Sequence, residues 1–191
     1  MSSSRGRQAT PVVLVTGGGR GIGRAIAAVM SRDGHAVMVV DVDGTRSATA
    51  AAELTAEGFP AAAATADVSK PEDAERVIDE TEAELGQISV LVNNVGVFVP
   101  EPNRAEEVDF EQWCRVINVN INGTYLMCQR VGRRMIAAGS RGDLHRLRIR
   151  IVQTQRENIR VCADGRNRIE IFLEGNLFPI RRNGIAIRTA E

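Results

Sequence analysis

Long apolar runs, paired cysteines, aromatic residues and net charge are all scarce in this chain, and each scarcity removes a class of protein. No stretch of the 191 residues approaches the ~20 apolar residues that span a bilayer, so no membrane partner is expected. Residues 1–8 are polar and lack the apolar centre of a secretory signal, which predicts a flexible leader and a cytoplasmic location. Three widely spaced cysteines, Cys114, Cys128 and Cys162, fit neither a disulfide framework nor a set of zinc ligands. They are expected to be reduced core residues, and no metal is expected. Aromatic residues make up only 4% of the chain, and no stacking pattern of the kind that reads nucleic acid accompanies its basic residues.

The zero net charge conceals an asymmetry. Residues 1–140 hold 13 basic and 18 acidic residues, whereas residues 141–191 hold 11 and 6. Alanine falls from 20 to 3 across the same point. Before it, apolar runs alternate with segments of helical period: strands at 12–16, 36–41, 61–66 and 89–93, and helices after Gly21, at 44–57 and at 71–85, the last behind an N-cap candidate, Ser69, with Glu72 three residues on. A longer segment from Ala105 to Ala138 carries Trp113, Ile117, Ile121, Val131 and Ile136 and is expected to be mostly one helix. Apolar strands separated by helices predict an α/β fold with a doubly wound, Rossmann-like parallel sheet over residues 9–142. The arginine-rich tail at 143–191 drops to a period of two, with a hairpin expected over 159–173 and further short strands around Ile149 and Ile185.

At the first strand–helix junction stands Thr16-Gly17-Gly18-Gly19-Arg20-Gly21-Ile22-Gly23. In a doubly wound sheet this is where a pyrophosphate rests on a helix N-terminus. Gly17 permits the turn, Gly21 the approach of backbone to phosphate, and Gly23 the close packing of the helix. Asp41 ends the second strand, 24 residues after Gly17, where a carboxylate accepts hydrogen bonds from the adenosine ribose and repels a 2′-phosphate. That favours NAD over NADP. The plainer reading is that Asp41 caps the turn with Asp43.

Thr16-Gly17-x-x-x-Gly21-Ile22-Gly23, Asp67-Val68, Asn93-Asn94-Val95-Gly96 and Asn120-Ile121-Asn122-Gly123, in that order, resemble the motifs of the short-chain dehydrogenase/reductase family over about residues 9–142. Val95 replaces the usual alanine. The resemblance implies an oxidoreductase that moves hydride between a nicotinamide dinucleotide and an alcohol or carbonyl. It assigns Asp67 and Val68 to adenine, Asn93 to the sheet beside the cofactor and Gly96 to the cofactor loop. Asn120 would be the asparagine of the catalytic tetrad. It also implies a catalytic serine and a Tyr-x-x-x-Lys pair, in which tyrosine passes the proton and lysine lowers its pKa. The only tyrosine, Tyr125, and the only lysine, Lys70, are 55 positions apart, and no serine follows Ser140. Tyr125 is expected to pack within its helix, and neither His35 nor His145 has the setting of a general base. The composition shift falls where the family's serine strand should begin, as a replaced C-terminal third, for example through a shifted reading frame, would produce. Two readings follow: a truncated family fold with impaired catalysis, or a nucleotide-binding or subunit-interaction protein with no turnover. The long helix resembles one through which family members pair, which makes a homo-oligomer the expected assembly.

Overall fold

The structure is a computed structural model that describes residues 10–99 and 106–138 in full, and the backbone of two further strands within 159–173. The chain divides into two units, Met1–Ile151 and Val152–Glu191. In the first, β1 (Val12–Thr16), α1 (Gly21–Arg32), β2 (Ala36–Asp41), α2 (Gly44–Ala56), β3 (Ala61–Thr65), α3 (Pro71–Glu84) and β4 (Ile88–Asn93) alternate strictly, and α4 (Phe110–Ile117) and α5 (Thr124–Ala137) follow. In the second, β5 (Ile159–Asp164) and β6 (Arg168–Leu173) pair antiparallel with Ile159 opposite Leu173, the hairpin that the alternation predicts. The strands expected around Ile149 and Ile185, the leader, and the side chains of the tail lie outside the described residues.

All four strands of the first unit run parallel, in the order β3-β2-β1-β4. Strand periodicity divides the core between two faces. Val13, Val15, Val37 and Val39 meet α1 and α2 through Ala27, Met30, Ala50 and Leu54. Leu14, Met38 and Val40 meet α3 and α5 through Val77, Ile78, Met127 and Val131. Because β1 and β2 are covered on both sides, every one of their residues is buried, whereas the edge strand β3 shows Ala63 and Thr65 to solvent.

Helix ends follow local chemistry, with one correction. The Asp43 carboxylate caps α2 by accepting the Thr45 and Arg46 N–H groups at 3.1 and 3.2 Å. Ser69 does not cap α3. The helix starts at Pro71 as expected, but Lys70 occupies its N-cap position, and the Ser69 hydroxyl donates to Asp67 Oδ1 at 2.6 Å. Asp67 forms an Asx turn there, also accepting Ser69 N–H at 3.0 Å, and a hydroxyl engaged in that turn is not available to the helix.

The long helical segment starts at Phe110, capped by Asp109, and is not α-helical throughout. Between α4 and α5, residues Asn118–Gly123 form a π-helical segment with unbroken helical dihedrals. It touches the sheet's connections closely: a Cβ on Gly123 would lie 2.8 Å from Val68 Cγ2. Beyond it α5 docks on α3 by charge, with Arg134 bridging Glu75, Asp79 and Glu82 at 2.7, 2.5 and 3.1 Å and Arg130 adding a second bond to Glu75 at 3.0 Å. Among the described residues no helix is long and apolar enough to cross a membrane, and no His, Cys, Asp and Glu cluster could hold a metal ion.

Candidate functional site at the strand ends

The chain leaves β1 for the face that carries α1 and leaves β4 towards the face that carries α5, so the connections part between these neighbouring strands. Such a switch point opens a crevice at the carboxyl ends of the strands. Three loops border it: 17–20 after β1, 42–43 after β2 and 94–99 after β4.

The β1 loop is built by close approach. Gly17 has a φ of 63°, and a Cβ there would meet Asn94 Nδ2 at 3.0 Å and Val95 Cα at 3.2 Å. Gly23, in the first turn of α1, is tighter still: its Cβ would lie 2.1 Å from Gly17 O. Only a residue without a side chain lets the helix start directly over the strand end. Gly21 differs. Its φ of 53° favours glycine, yet no described atom lies within 4 Å of a Cβ built there, so that side of the loop is open. Arg20 occupies the N-cap position in extended conformation with its side chain exposed and making no cap, and the first turn of α1 contains no acidic residue. Among the described residues, the leading N–H groups of α1, including that of Ile22, therefore have no side-chain acceptor of the kind that Asp43 gives α2 and Asp109 gives α4.

Asp41 turns back onto this loop. It is 8% exposed; Oδ2 accepts Gly19 N–H at 3.1 Å and Oδ1 accepts Asp43 N–H at 3.1 Å. Capping of the Asp43 turn is thus real, and the same carboxylate also reaches the glycine loop. Each oxygen keeps further lone-pair capacity. Beside it Val42 is exposed.

Asp67 and Val68 follow β3. The Asp67 N–H donates to Asp73 Oδ2 at 2.9 Å, and this bond, after the larger effect of the Arg76 guanidinium, holds the Asp73 carboxyl below its ordinary value. Val68 is buried against Gly123 and the α3–α5 core.

At β4 the sequence motif divides its labour in a way that spacing does not reveal. Asn93 donates through Nδ2 to Cys128 Sγ at 3.2 Å and so ties the strand end to α5. Asn94, to which the sequence assigns no role, ties it to β1: Nδ2 donates to Thr16 O at 3.2 Å and Gly17 O at 3.1 Å, while its N–H donates to Thr16 Oγ1 at 3.1 Å. The Thr16 hydroxyl donates in turn to Val92 O at 3.2 Å. A carboxamide directly after a strand, in a sheet whose first strand ends in a glycine turn, is the available signal.

Asn120 lies inside the π segment and holds the β4 loop. Its Oδ1 accepts Val97 N–H at 2.9 Å and its Nδ2 donates to Val97 O at 2.8 Å, so both backbone polar groups of Val97 are fixed by one side chain. Gly96 is exposed beside it, 4.0 Å from Oδ1 if given a Cβ. Tyr125 lies along its own helix, its hydroxyl accepting Gln129 Nε2–H one turn on at 2.9 Å, with the side chain exposed. Cys114 and Cys128 are free and half-buried, not core residues; burial raises the Cys128 thiol pKa, partly offset by the Asn93 bond. The Cys162 side chain lies outside the described residues. His35 is engaged structurally, its Nδ1 lying 3.2 Å from Met30 O, whereas His145 lies outside the described residues.

The model of the short chain dehydrogenase family matches residues 11–145. The chain is 37% identical over 128 residues to D-threitol dehydrogenase of Mycolicibacterium smegmatis, a match that covers 67% of this chain and 48% of that protein. Among solved structures, 3-ketoacyl-(acyl-carrier-protein) reductase from Brucella melitensis, complexed with NADH, superposes with a TM-score of 0.65 and 32% identity over 70% of this chain and 54% of its own. A metagenomic short-chain oxidoreductase in complex with NADP gives 0.64 and 30%, over 68% and 58%. The chain spans about half the length of the curated relative and structures it matches.

Proposed function

This chain belongs to the short chain dehydrogenase family, and on that premise we propose that it binds a nicotinamide dinucleotide, NAD in preference to NADP, across the carboxyl ends of β1, β2 and β4. The observation that carries this reading is the uncapped start of α1 above a glycine turn whose Gly21 side is open. Backbone N–H groups there, from Gly21 to Gly23, would receive the pyrophosphate. Asp41 would accept the ribose hydroxyls with its remaining lone pairs, and a 2′-phosphate would meet a buried carboxylate already fixed by two N–H groups. Asp67 and Val68 would border the adenine. Thr16, Asn93 and Gly96 would border the nicotinamide half, with Arg20 at the rim. When bound, the nicotinamide ring supplies the hydride donor or acceptor of the family's alcohol–carbonyl chemistry.

The chain's own contribution to proton transfer is small in this reading. Of the tetrad it presents Asn120, whose carboxamide is engaged with Val97. No Tyr-x-x-x-Lys occurs in the 191 residues, and Gln129 stands four places after Tyr125. General acid–base catalysis contributes roughly 10² to 10⁴-fold. We therefore propose cofactor binding with little turnover of alcohols by this polypeptide alone. Phe110, Trp113, Ile121 and Tyr125 recur on α4, the π segment and α5 as exposed apolar residues, and they support self-association along this helix as its mode of assembly.

Calorimetric titration with NAD and NADP tests the reading. NAD should bind more tightly, and Asp41→Ala should narrow the difference. No heat with either dinucleotide rejects the site, and an unchanged preference in the variant removes Asp41 from it. Robust NADH formation from secondary alcohols would reject the catalytic part.

A further inference from the structure

The four-stranded sheet has two edges, β3 and β4, and they are finished differently. At β3, Pro60 stands immediately before the strand and the Arg76 guanidinium donates to Thr65 O at 2.7 Å, so a proline and a charge guard that edge. At β4 neither device is present among the described residues. From Leu85 to Pro100 the sequence contains no charged residue. Val90, Leu91 and Val92 pack against the two cores yet stay only partly buried, whereas every residue of β1 and β2 is buried. A bulge at Ser89 disturbs the start of the strand, but Val90 to Asn93 pair in regular register with Val13 to Thr16. The direction of the polar groups follows from Thr16. Its hydroxyl meets Val92 O and Asn94 N–H, so these groups face β1, and by alternation the N–H and C=O of Leu91 face the open side.

We propose that the open β4 edge is an interface with a second copy of this chain, the two β4 strands running antiparallel about a two-fold axis so that two four-stranded sheets become one continuous sheet. An axis perpendicular to the sheet keeps like faces together, so each residue lies opposite one of its own parity. With Leu91 opposite its own counterpart, the outward N–H and C=O groups of the two residues exchange a pair of hydrogen bonds, and Val90 lies opposite the counterpart of Val92. A charged strand would meet its own charge across such an axis; β4 has none. Closure favours one further copy over an unlimited stack, because the edges left outermost in the pair are both β3, which Pro60 and Arg76 guard. This interface is separate from the exposed residues of α4 and α5, and it does not depend on the dinucleotide reading.

Sedimentation equilibrium and amide hydrogen exchange on the full chain test the proposal, with circular dichroism to verify that the variants fold. The parent should sediment at an even multiple of the chain mass. Leu91→Lys and Leu91→Glu each set like charges directly opposite one another, while their stems keep much of the apolar contact with the core. Each variant alone should halve the parent mass, and an equimolar mixture of the two should restore it. In the parent, exchange at the Leu91 amide should slow as protein concentration rises, far more than at the Val92 amide, and this series decides the matter even where a variant fails to fold. A parent that stays monomeric, or a mass that neither substitution alters, overturns the proposal. So does protection of the Leu91 amide that is independent of concentration, which is what a covering segment of the same chain would give.

Discussion

Replacing Gly23 by alanine adds one methyl group at the tightest approach in the site. The new Cβ would stand 2.1 Å from Gly17 O and 2.5 Å from Asn94 Nδ2. Both neighbours are held, the carbonyl by the turn and the carboxamide by its bonds to Thr16 O and Gly17 O. Relief therefore requires the start of α1 to lift by about 1 Å, since ordinary Cβ contacts begin near 3.4 Å, or the Asn94 bonds to break. Forced overpacking costs about 1–3 kcal/mol, and loss of one hydrogen bond adds about 1 kcal/mol. Against this stands at most ~1 kcal/mol of improved helix propensity. The net loss is about 1–3 kcal/mol, which lowers the melting temperature by roughly 2–12 °C for a chain of this size. Gly21→Ala separates space from backbone conformation, because its Cβ meets no described atom. It should cost only the left-handed backbone penalty of about 1–2 kcal/mol, yet weaken NAD binding beyond measure by placing a methyl where phosphate would approach. Thermal unfolding followed by circular dichroism, with calorimetry on the same samples, reads both. A Gly23→Ala chain that melts within about 2 °C of the parent would refute the close-packing argument.

Asn120→Ala should free the backbone N–H and C=O of Val97, costing about 1–2 kcal/mol, and hydrogen exchange should accelerate at the Val97 amide ahead of the β4 amides. Asp73 is depressed in the folded state by Arg76 and the Asp67 N–H, so its contribution is present above the ordinary carboxylate pKa and is lost as pH falls through the folded value. Asp73→Asn should accordingly destabilise the chain at pH 7, with the difference from the parent shrinking in denaturation series below about pH 4. Because burial raises the Cys128 thiol pKa, iodoacetamide should modify it more slowly at neutral pH than an unhindered thiol, and Asn93→Ala, which removes the bond that favours the thiolate, should slow it further. Arg134→Met leaves Glu75, Asp79 and Glu82 facing one another across α3. It should lower stability by about 1 kcal/mol, with a loss that diminishes in added salt.

Where one face or both faces of an element are buried, the sequence reads plainly. β1 and β2 have the bounds that their apolar runs predict, and α2 and α3 differ by a residue at their ends. Burial imposes a period, and a period is visible in one dimension. Ser69 reads as a cap in the sequence because a hydroxyl before Pro71 satisfies the cap pattern equally well whether it faces the helix or Asp67. The π segment was invisible for a related reason: an inserted residue changes helical phase without changing composition, and the chain from Phe110 to Ala137 has no proline to announce it. That Tyr125 pairs along its helix is readable from Gln129 four places on, but its exposure, shared with Trp113 and Ile121, is not. Within the site, glycines were legible from their spacing, while the distinct duties of Asn93 and Asn94 were not. Two adjacent identical side chains point to opposite sides of a strand end, and only the neighbours on each side tell them apart.

The bonds between Thr16 and its partners on β4 and the loop that follows it join residues 76 to 79 positions apart in the chain. β1, β2 and β3 can associate through connections of local length, but β4 joins β1 only after the largest loop of the sheet has closed, and that closure bears its entropy before any of these contacts reward it. The loop of Gly17, supported by Asn94, and the loop of Val97, supported by Asn120, both depend on that last docking. A partly folded chain with three strands in place would therefore hold no binding crevice at all. A dinucleotide would engage only chains that have completed the sheet, so it would slow unfolding without hastening the steps that precede β4.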